Sequence, residues 1–233
     1  MSSAAADLAP LIDHALLDPH HGLDAVQRCC DEARHFGFAG VCVASRWVAD
    51  ARERLPLGGP VRLVSVVGFP FGAVPLAVKR AEAEAAAAAG ADELDLVPDF
   101  GALADRKSGV LLDDLAAIID LGLPVKVILE MGRLDPAALE LLVEVSLDAG
   151  ARFLKTGSGF GPPVTPVQVA QLRGLVRGRA AIKAAGGIRA LEPALALVEA
   201  GAARLGTSHG VTLMEALRRG PSGDPSSPPA EEM

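Results

Sequence analysis

The chain has 233 residues, half of them hydrophobic, and carries a net charge of −7 at pH 7. That length suits one sizeable core without a second domain, and the acidic balance excludes a general field that would gather nucleic acid or an anionic membrane surface. No apolar run approaches the ~20 residues a membrane span needs, and with no tyrosine and 3% aromatic residues stacking platforms for single-stranded nucleic acid are not expected.

Short apolar runs alternate with longer helical patterns. Strands are expected at Leu11–His14, Ala39–Ala44, Arg62–Gly68, Glu93–Val97, Val125–Glu130, Arg152–Thr156, Ala180–Ala184 and Ala203–Gly206. Helices are expected at Leu23–Phe36, Arg46–Leu55, Pro75–Ala89, Val110–Leu121, Pro136–Ala149, Pro166–Val176 and Leu191–Ala200, with a last one starting near Val211. Pro75, Pro136 and Pro166 stand where a first-turn proline loses only an N–H that had no helical partner. Gly37, Gly90, Gly122, Gly150 and Gly201 stand where left-handed helix caps belong. Ala-Gly-Ala recurs at 89–91, 149–151 and 200–202, each time closing a helix and opening a strand. Eight strand–helix units predict a single-domain (β/α)8 TIM barrel of the α/β class. A doubly wound open sheet would need a nucleotide fingerprint after its first strand, and none is present. The barrel domain is expected to span residues 1–219. Residues 220–233, rich in Pro, Ser and acid, are expected to form a disordered tail.

Strand alternation sorts the side chains by face. Leu94 and Leu96 oppose Glu93 and Asp95; Val125, Val127 and Leu129 oppose Lys126, Ile128 and Glu130; Lys155 opposes Leu154, and Lys183 opposes Ile182. With the apolar set under the helices, the charged set points into the barrel. Lys155, Lys183, Asp95 and Glu130 also fall near the C-terminal strand ends, where barrel enzymes do their chemistry. A lysine amine attacks a carbonyl only when neutral, and a free one has a pKa of ~10.4. Burial and a second nearby cation both favour the neutral form. Two lysines on consecutive strands, Lys155 and Lys183, therefore read as a Schiff-base pair, one tuning the other. The glycine loops Gly186-Gly187 and Gly206-Thr207-Ser208 follow the seventh and eighth strands, the recurrent barrel position for holding phosphate. Asp13 at the end of the first strand, Cys42 on the second and Thr156 after Lys155 complete the expected substrate side. Lys126 reads as an ion-pair partner. His14, His20, His21, His35 and His209 form no H-E-x-x-H pattern, so neither metal nor other cofactor is expected. An odd cysteine count, with Cys29 next to Cys30, does not read as a disulfide framework. Together with an N-terminal stretch that has no Lys or Arg before its apolar residues, this points to the cytoplasm.

The segments LIDHALLDP (11–19), VVGFPFGA (66–73), VKVILE (125–130), FLKTGSGF (153–160) and IKAAGGIR (182–189) make the chain resemble deoxyribose-phosphate aldolase, from about Leu11 to Ser208. The resemblance implies reversible cleavage of 2-deoxy-D-ribose 5-phosphate to acetaldehyde and D-glyceraldehyde 3-phosphate. It implies the Schiff base on Lys155, tuning by Lys183 and proton transfer by Asp95. The chain departs from the family pattern at Ala15, Asp18, Ala44-Ser45, Gly157-Ser158 and His209. The expected partners are phosphosugar and aldehyde substrates, with a homodimer as the assembly to consider. The competing readings are a phosphosugar isomerase or epimerase on the same barrel and a non-catalytic phosphosugar-binding paralogue.

Overall fold

The computed structural model describes residues 8–219; the expected tail at 220–233 lies outside them. In chain order the elements are β1 (Ile12–Leu16), α1 (Leu23–Phe36), β2 (Gly40–Val43), α2 (Val48–Arg54), β3 (Arg62–Val67), α3 (Leu76–Ala88) and β4 (Glu93–Leu96). There follow α4 (Phe100–Ala104), α5 (Ser108–Ile119), β5 (Val125–Ile128), α6 (Pro136–Asp148), β6 (Phe153–Lys155) and α7 (Pro166–Val176), and then β7 (Ala181–Ala185), α8 (Leu191–Ala200), β8 (Arg204–Thr207) and α9 (Gly210–Arg219). The eight strands are parallel and close into a barrel in chain order, β8 pairing back onto β1. This is the expected TIM barrel.

The period-two pattern decides which side chains meet which layer. Val41, Leu63, Leu94, Val127, Leu154 and Leu205 point outward and join one large core with the inner faces of the helices. Inside the barrel, Cys42, Val64 and Val66 of β2 and β3 form an apolar cluster against which Ala15, Leu17 and Phe69 pack. The rest of the lumen, from β4 round to β1, carries the charged side chains Glu93, Asp95, Lys126, Lys155, Lys183, Arg204 and Asp13, with Ile128 and Phe153 among them. The lumen is thus apolar on one side and ionic on the other, before any site is considered.

Helix ends follow local chemistry. Asp135 and Thr165 cap α6 and α7 through their side chains, Thr165 with Gln168 in a capping box, and Pro136 and Pro166 occupy the first helical positions. Pro75 instead precedes α3 as its cap residue. The five expected cap glycines all take left-handed backbone angles. Two differences from the expected elements have clear causes. Helix α4 is five residues long, too short to show a helical period, and is set by the Asp99 side chain accepting from the Ala102 N–H at 2.9 Å. Strand β1 runs to Leu16 because its pairing with β2 continues to Leu16 opposite Val43. Asp13 is therefore the second residue of its strand, not its end, and sits deeper than expected.

One buried ion pair joins two helices. Lys79 of α3 donates to both oxygens of Asp114 on α5, at 2.9 and 2.8 Å, and the same Asp114 accepts the Asp99 N–H at 2.9 Å. Lys79 is fully buried. Removing one partner leaves an uncompensated buried charge, at a cost of about 3–5 kcal/mol. Lys79→Met is expected to lose that much stability in denaturant unfolding while the folded fraction keeps its activity; a loss below about 1 kcal/mol would mean that Asp114 finds another cation.

Candidate active site

The lumen charges converge on Asp95. Lys155 Nζ donates to Asp95 Oδ2 at 2.9 Å, Lys183 Nζ to the same oxygen at 2.8 Å, and Lys126 Nζ pairs with Oδ1 at 3.0 Å. The network extends on both sides. Lys183 also pairs with Asp13 at 2.6 Å, Asp13 accepts from Arg204 at 2.7 Å, and Lys126 pairs with Glu93 at 2.5 Å. Register explains part of this. Lys155 and Lys183 lie opposite each other on the paired strands β6 and β7, and Asp95 lies opposite Lys126 on β4 and β5. The contact between the two halves is made across the lumen. The two amines share one oxygen, so Lys155 and Lys183 are no further apart than two hydrogen bonds laid end to end. They are separated by a carboxylate rather than facing each other bare.

A cavity of about 540 Å³ opens over this network at the C-terminal mouth. Lys155, Lys183, Cys42, Gly186, Gly187, Gly206 and Ser208 line it, with Arg189 and His209 toward its rim. Gly206 is close-packed: a Cβ there would stand 3.0 Å from Lys183 Cε. Gly187 has φ +70°, and a Cβ there would meet Pro163 at 2.8 Å. Glycine is therefore required at both positions by the close packing of the surrounding chain. Asp13 and Thr156, expected on the substrate side, do not line the cavity. Asp13 is held beneath it by Lys183 and Arg204. The Thr156 hydroxyl is engaged by β7 in both directions, donating to Ala185 O and accepting Ala185 N–H at 3.0 Å each. Asp95 is likewise fully buried; the cavity-lining side chains it touches are Lys155, Lys183 and Cys42.

With this geometry the chain can be set beside known proteins. No family model matches it. It is 44% identical to deoxyribose-phosphate aldolase of Thermosynechococcus vestitus over 210 residues, covering 90% of this chain and 96% of that protein. It is 44% identical to the Thermus thermophilus protein of the same name over 212 residues, covering 89% and 96%. The chain belongs to the deoxyribose-phosphate aldolase family. Solved structures agree: the deoxyribose phosphate aldolase of Aeropyrum pernix, described as a tetramer, superposes with a TM-score of 0.84 at 35% identity, covering 94% of this chain and 93% of that one. An aldolase called QR15 superposes with a TM-score of 0.87 at 34% identity, covering 92% and 97%. The chain is accordingly a lyase of the aldolase type, and the isomerase and silent-paralogue readings find no support among these relatives.

The electrostatics of this aldolase barrel are set by competition between burial and pairing. Burial alone would raise the Asp95 carboxyl, but Lys126, Lys155 and Lys183 outweigh it and hold the group well below the usual carboxylate range. For Asp13 burial is likewise outweighed, by Lys183, Lys126 and Arg204. Burial would lower Lys183, yet Asp13 and Asp95 together raise it above an ordinary lysine. Burial and the neighbouring Asp95 push the Cys42 thiol up to about 11, so it is no ready nucleophile at neutral pH.

Sequence reading passed over Arg204, although strand phase places it in step with Gly206, and it put Glu93 in the lumen beside Asp95 without giving it a role. It also passed over Glu82, whose carboxylate accepts from Ser45 Oγ at 2.7 Å and from the Gly68 N–H at 2.8 Å. Glu82 fixes the loop carrying Phe69, whose ring stands 6.0 Å from Lys155 Nζ. Among the described residues no three His, Cys, Asp or Glu side chains converge as metal ligands.

The pH dependence of stability follows from these directions. The stabilisation tied to Asp95 and Asp13 is complete above their unfolded value of ~3.9 and fades as pH falls through their lower folded values; that tied to Lys183 is complete below ~10.4 and fades as pH rises through its higher folded value. Asp95→Asn is expected to be less stable than the parent at pH 7 and to lose less on going from pH 7 to pH 3 in denaturant titrations. Parallel pH curves for the two proteins would show that Asp95 binds protons no differently in the fold than in the open chain.

Proposed function

We propose that this chain reversibly cleaves 2-deoxy-D-ribose 5-phosphate to acetaldehyde and D-glyceraldehyde 3-phosphate as a class I aldolase, through a Schiff base on Lys155. The observation that carries the assignment to Lys155 is the distribution of ion pairs. The linked network contains four cations, Lys126, Lys155, Lys183 and Arg204, against three carboxylates, Asp13, Glu93 and Asp95. Release of one proton balances it. Lys126 and Lys183 each hold two carboxylates, and Arg204 remains charged in proteins. Lys155 has only an oxygen shared with Lys183, and it lines the cavity. It is the lysine of the network with the fewest carboxylate partners.

The neutral amine adds to the C1 aldehyde carbon, and the carbonyl oxygen leaves as water to give a protonated imine. The C3 hydroxyl then loses its proton as the C2–C3 bond breaks. The bond's electron pair moves toward the iminium and leaves an enamine of acetaldehyde on Lys155, while C3 becomes the aldehyde carbon of glyceraldehyde 3-phosphate. Protonation at C2 and hydrolysis return acetaldehyde and free lysine. Asp95 lies under the cavity floor, so its share in proton transfer runs through the amines it binds or through water. Lys183, kept cationic by two carboxylates, supplies a fixed positive charge beside the reacting carbons. The backbone N–H groups around Gly186, Gly187, Gly206 and Ser208 face the phosphate end. In this reading Asp13 and Thr156 position Lys183 and the β6–β7 seam without touching substrate.

The three buried, unpaired thiols fit a reducing cytoplasm, where we place the enzyme. Self-association as a homodimer is a further part of the proposal, read directly by sedimentation. Borohydride reduction in the presence of acetaldehyde is expected to leave one ethyl group on Lys155, located by peptide mapping. Lys155→Arg is expected to lose activity by on the order of 10³-fold or more. Turnover that survives Lys155→Arg, with no adduct at residue 155, would instead favour carboxylate-based isomerase chemistry.

A further inference from the structure

The strands share the ionisable groups of the lumen unevenly. Asp13 comes from β1, Glu93 and Asp95 from β4, Lys126 from β5, Lys155 from β6, Lys183 from β7 and Arg204 from β8. From β2 comes the Cys42 thiol, which burial and Asp95 push up to about 11, and β3 presents Val64 and Val66. Glu130, beyond β5, turns to the segment after β6 and accepts the Ser158 N–H. We propose that Arg204 is a positioning residue for the aldol reaction: its permanent charge keeps the network one cation in excess, and it acts through Asp13, Lys183 and Asp95 to free the Lys155 amine of its proton. This rests on the aldolase reading above.

The path from Arg204 to Lys155 is continuous. Arg204 Nη1 donates to Asp13 Oδ1 at 2.7 Å, and Asp13 Oδ2 pairs with Lys183 at 2.6 Å. Lys183 and Lys155 then meet on Asp95 Oδ2, at 2.8 and 2.9 Å. Asp13, Lys183, Asp95 and Lys155 are all buried, so salt and water screen little of the interaction along this line. Arg204 is itself held in place, its guanidinium 5.6 Å from the Phe153 ring. Burial would lower Arg204, yet Asp13 raises it above an ordinary arginine, and a guanidinium keeps its proton in proteins. The charge count then gives the direction. With Arg204 present, four cations face three carboxylates, and the lysine with the fewest partners is Lys155. Without Arg204, Lys126, Lys155 and Lys183 face Asp13, Glu93 and Asp95, and the network is neutral with every lysine protonated. A cation that does not line the cavity thus decides whether the nucleophile is available.

The test is the pH dependence of kcat/KM for cleavage of 2-deoxy-D-ribose 5-phosphate in the parent, Arg204→Gln and Arg204→Lys. A unit charge on the order of 10 Å away, at an effective dielectric constant of ~20, displaces a titration by about one pH unit. Losing a cation favours the protonated amine. The acid-side limb of Arg204→Gln is therefore expected about one pH unit above the parent's, with activity on that limb down on the order of tenfold and recovering as pH rises. Arg204→Lys keeps the charge and is expected to leave the limb in place. Titration of the substrate phosphate and of His20, His21 and His209 at the mouth is common to all three proteins and cancels in the comparison. Unfolded molecules lower the height of a profile without moving its limb, so a partly folded variant still answers. An unmoved limb in Arg204→Gln, whatever its height, overturns the proposal. So does a limb displaced by a full unit in Arg204→Lys, and this arm decides alone if Arg204→Gln gives no folded protein. If borohydride does not trap acetaldehyde on Lys155 even in the parent, the aldolase reading has failed and this inference falls with it.

Discussion

The arrangement on which everything else depends is a carboxylate buried among three amines. Taking ions out of water costs several kcal/mol each, and only good geometry and full pairing offset it. A structural barrel avoids this by filling its lumen with branched apolar side chains. Here Asp95 is fully buried and is held by Lys126, Lys155 and Lys183 on its two oxygens. Replacing such a cluster by packed hydrocarbon is often neutral or stabilising, so stability does not account for it. The proposed carbonyl chemistry does: the same side chains provide an amine at the cavity, a cation held by two carboxylates and a carboxylate kept ionised by its neighbours.

The division of the lumen makes this workable. Cys42, Val64 and Val66 form a dry wall on β2 and β3, and the ionic groups occupy the remaining strands. Attraction between charges is stronger where water is excluded, so the apolar wall strengthens the pairing on the other side. It also explains the state of Cys42. The thiol lies 3.9 Å from Asp95 Oδ2, and the carboxylate and burial together keep it protonated. In the proposed reaction, a thiol lining the cavity is thereby held back from competing with Lys155 for the aldehyde.

How much of this the sequence discloses depends on the range of the interaction. Strand phase is local. Lys155, Lys183 and Asp95 could be placed in the lumen from their immediate neighbours, and the same logic reaches Arg204 and Glu93. Pairing across the lumen is not local. That Asp95 of β4 sits between lysines of β6 and β7 follows from the barrel's closure and diameter, which no segment encodes by itself. The depth of Asp13 turned on where β1 ends, a matter of register with β2 and β8. The Lys79–Asp114 pair joins two helices whose apolar faces gave no sign of a buried charge. Phe160 lies in a loop with no period to read, and helix α4 is too short to have one. What stayed hidden was therefore partner choice and depth, while face and order were open.

The acidic balance of the chain poses a last question, since the substrate of the proposed reaction is an anion. Much of the acid is used to hold backbone. Glu82 fixes Gly68 in the loop after β3, Asp114 fixes Asp99 after β4, and Glu130 fixes Ser158 after β6. These anchors lie along one half of the mouth. The other half, after β7 and β8, lines the cavity with Gly186, Gly187 and Gly206. A phosphosugar entering this mouth meets carboxylates already engaged with backbone on one side and open glycine backbone on the other. Net charge thus says little about where an anion binds; in the proposed reaction, satisfied carboxylates on one side and glycine loops on the other orient it, phosphate toward β7–β8 and aldehyde toward Lys155.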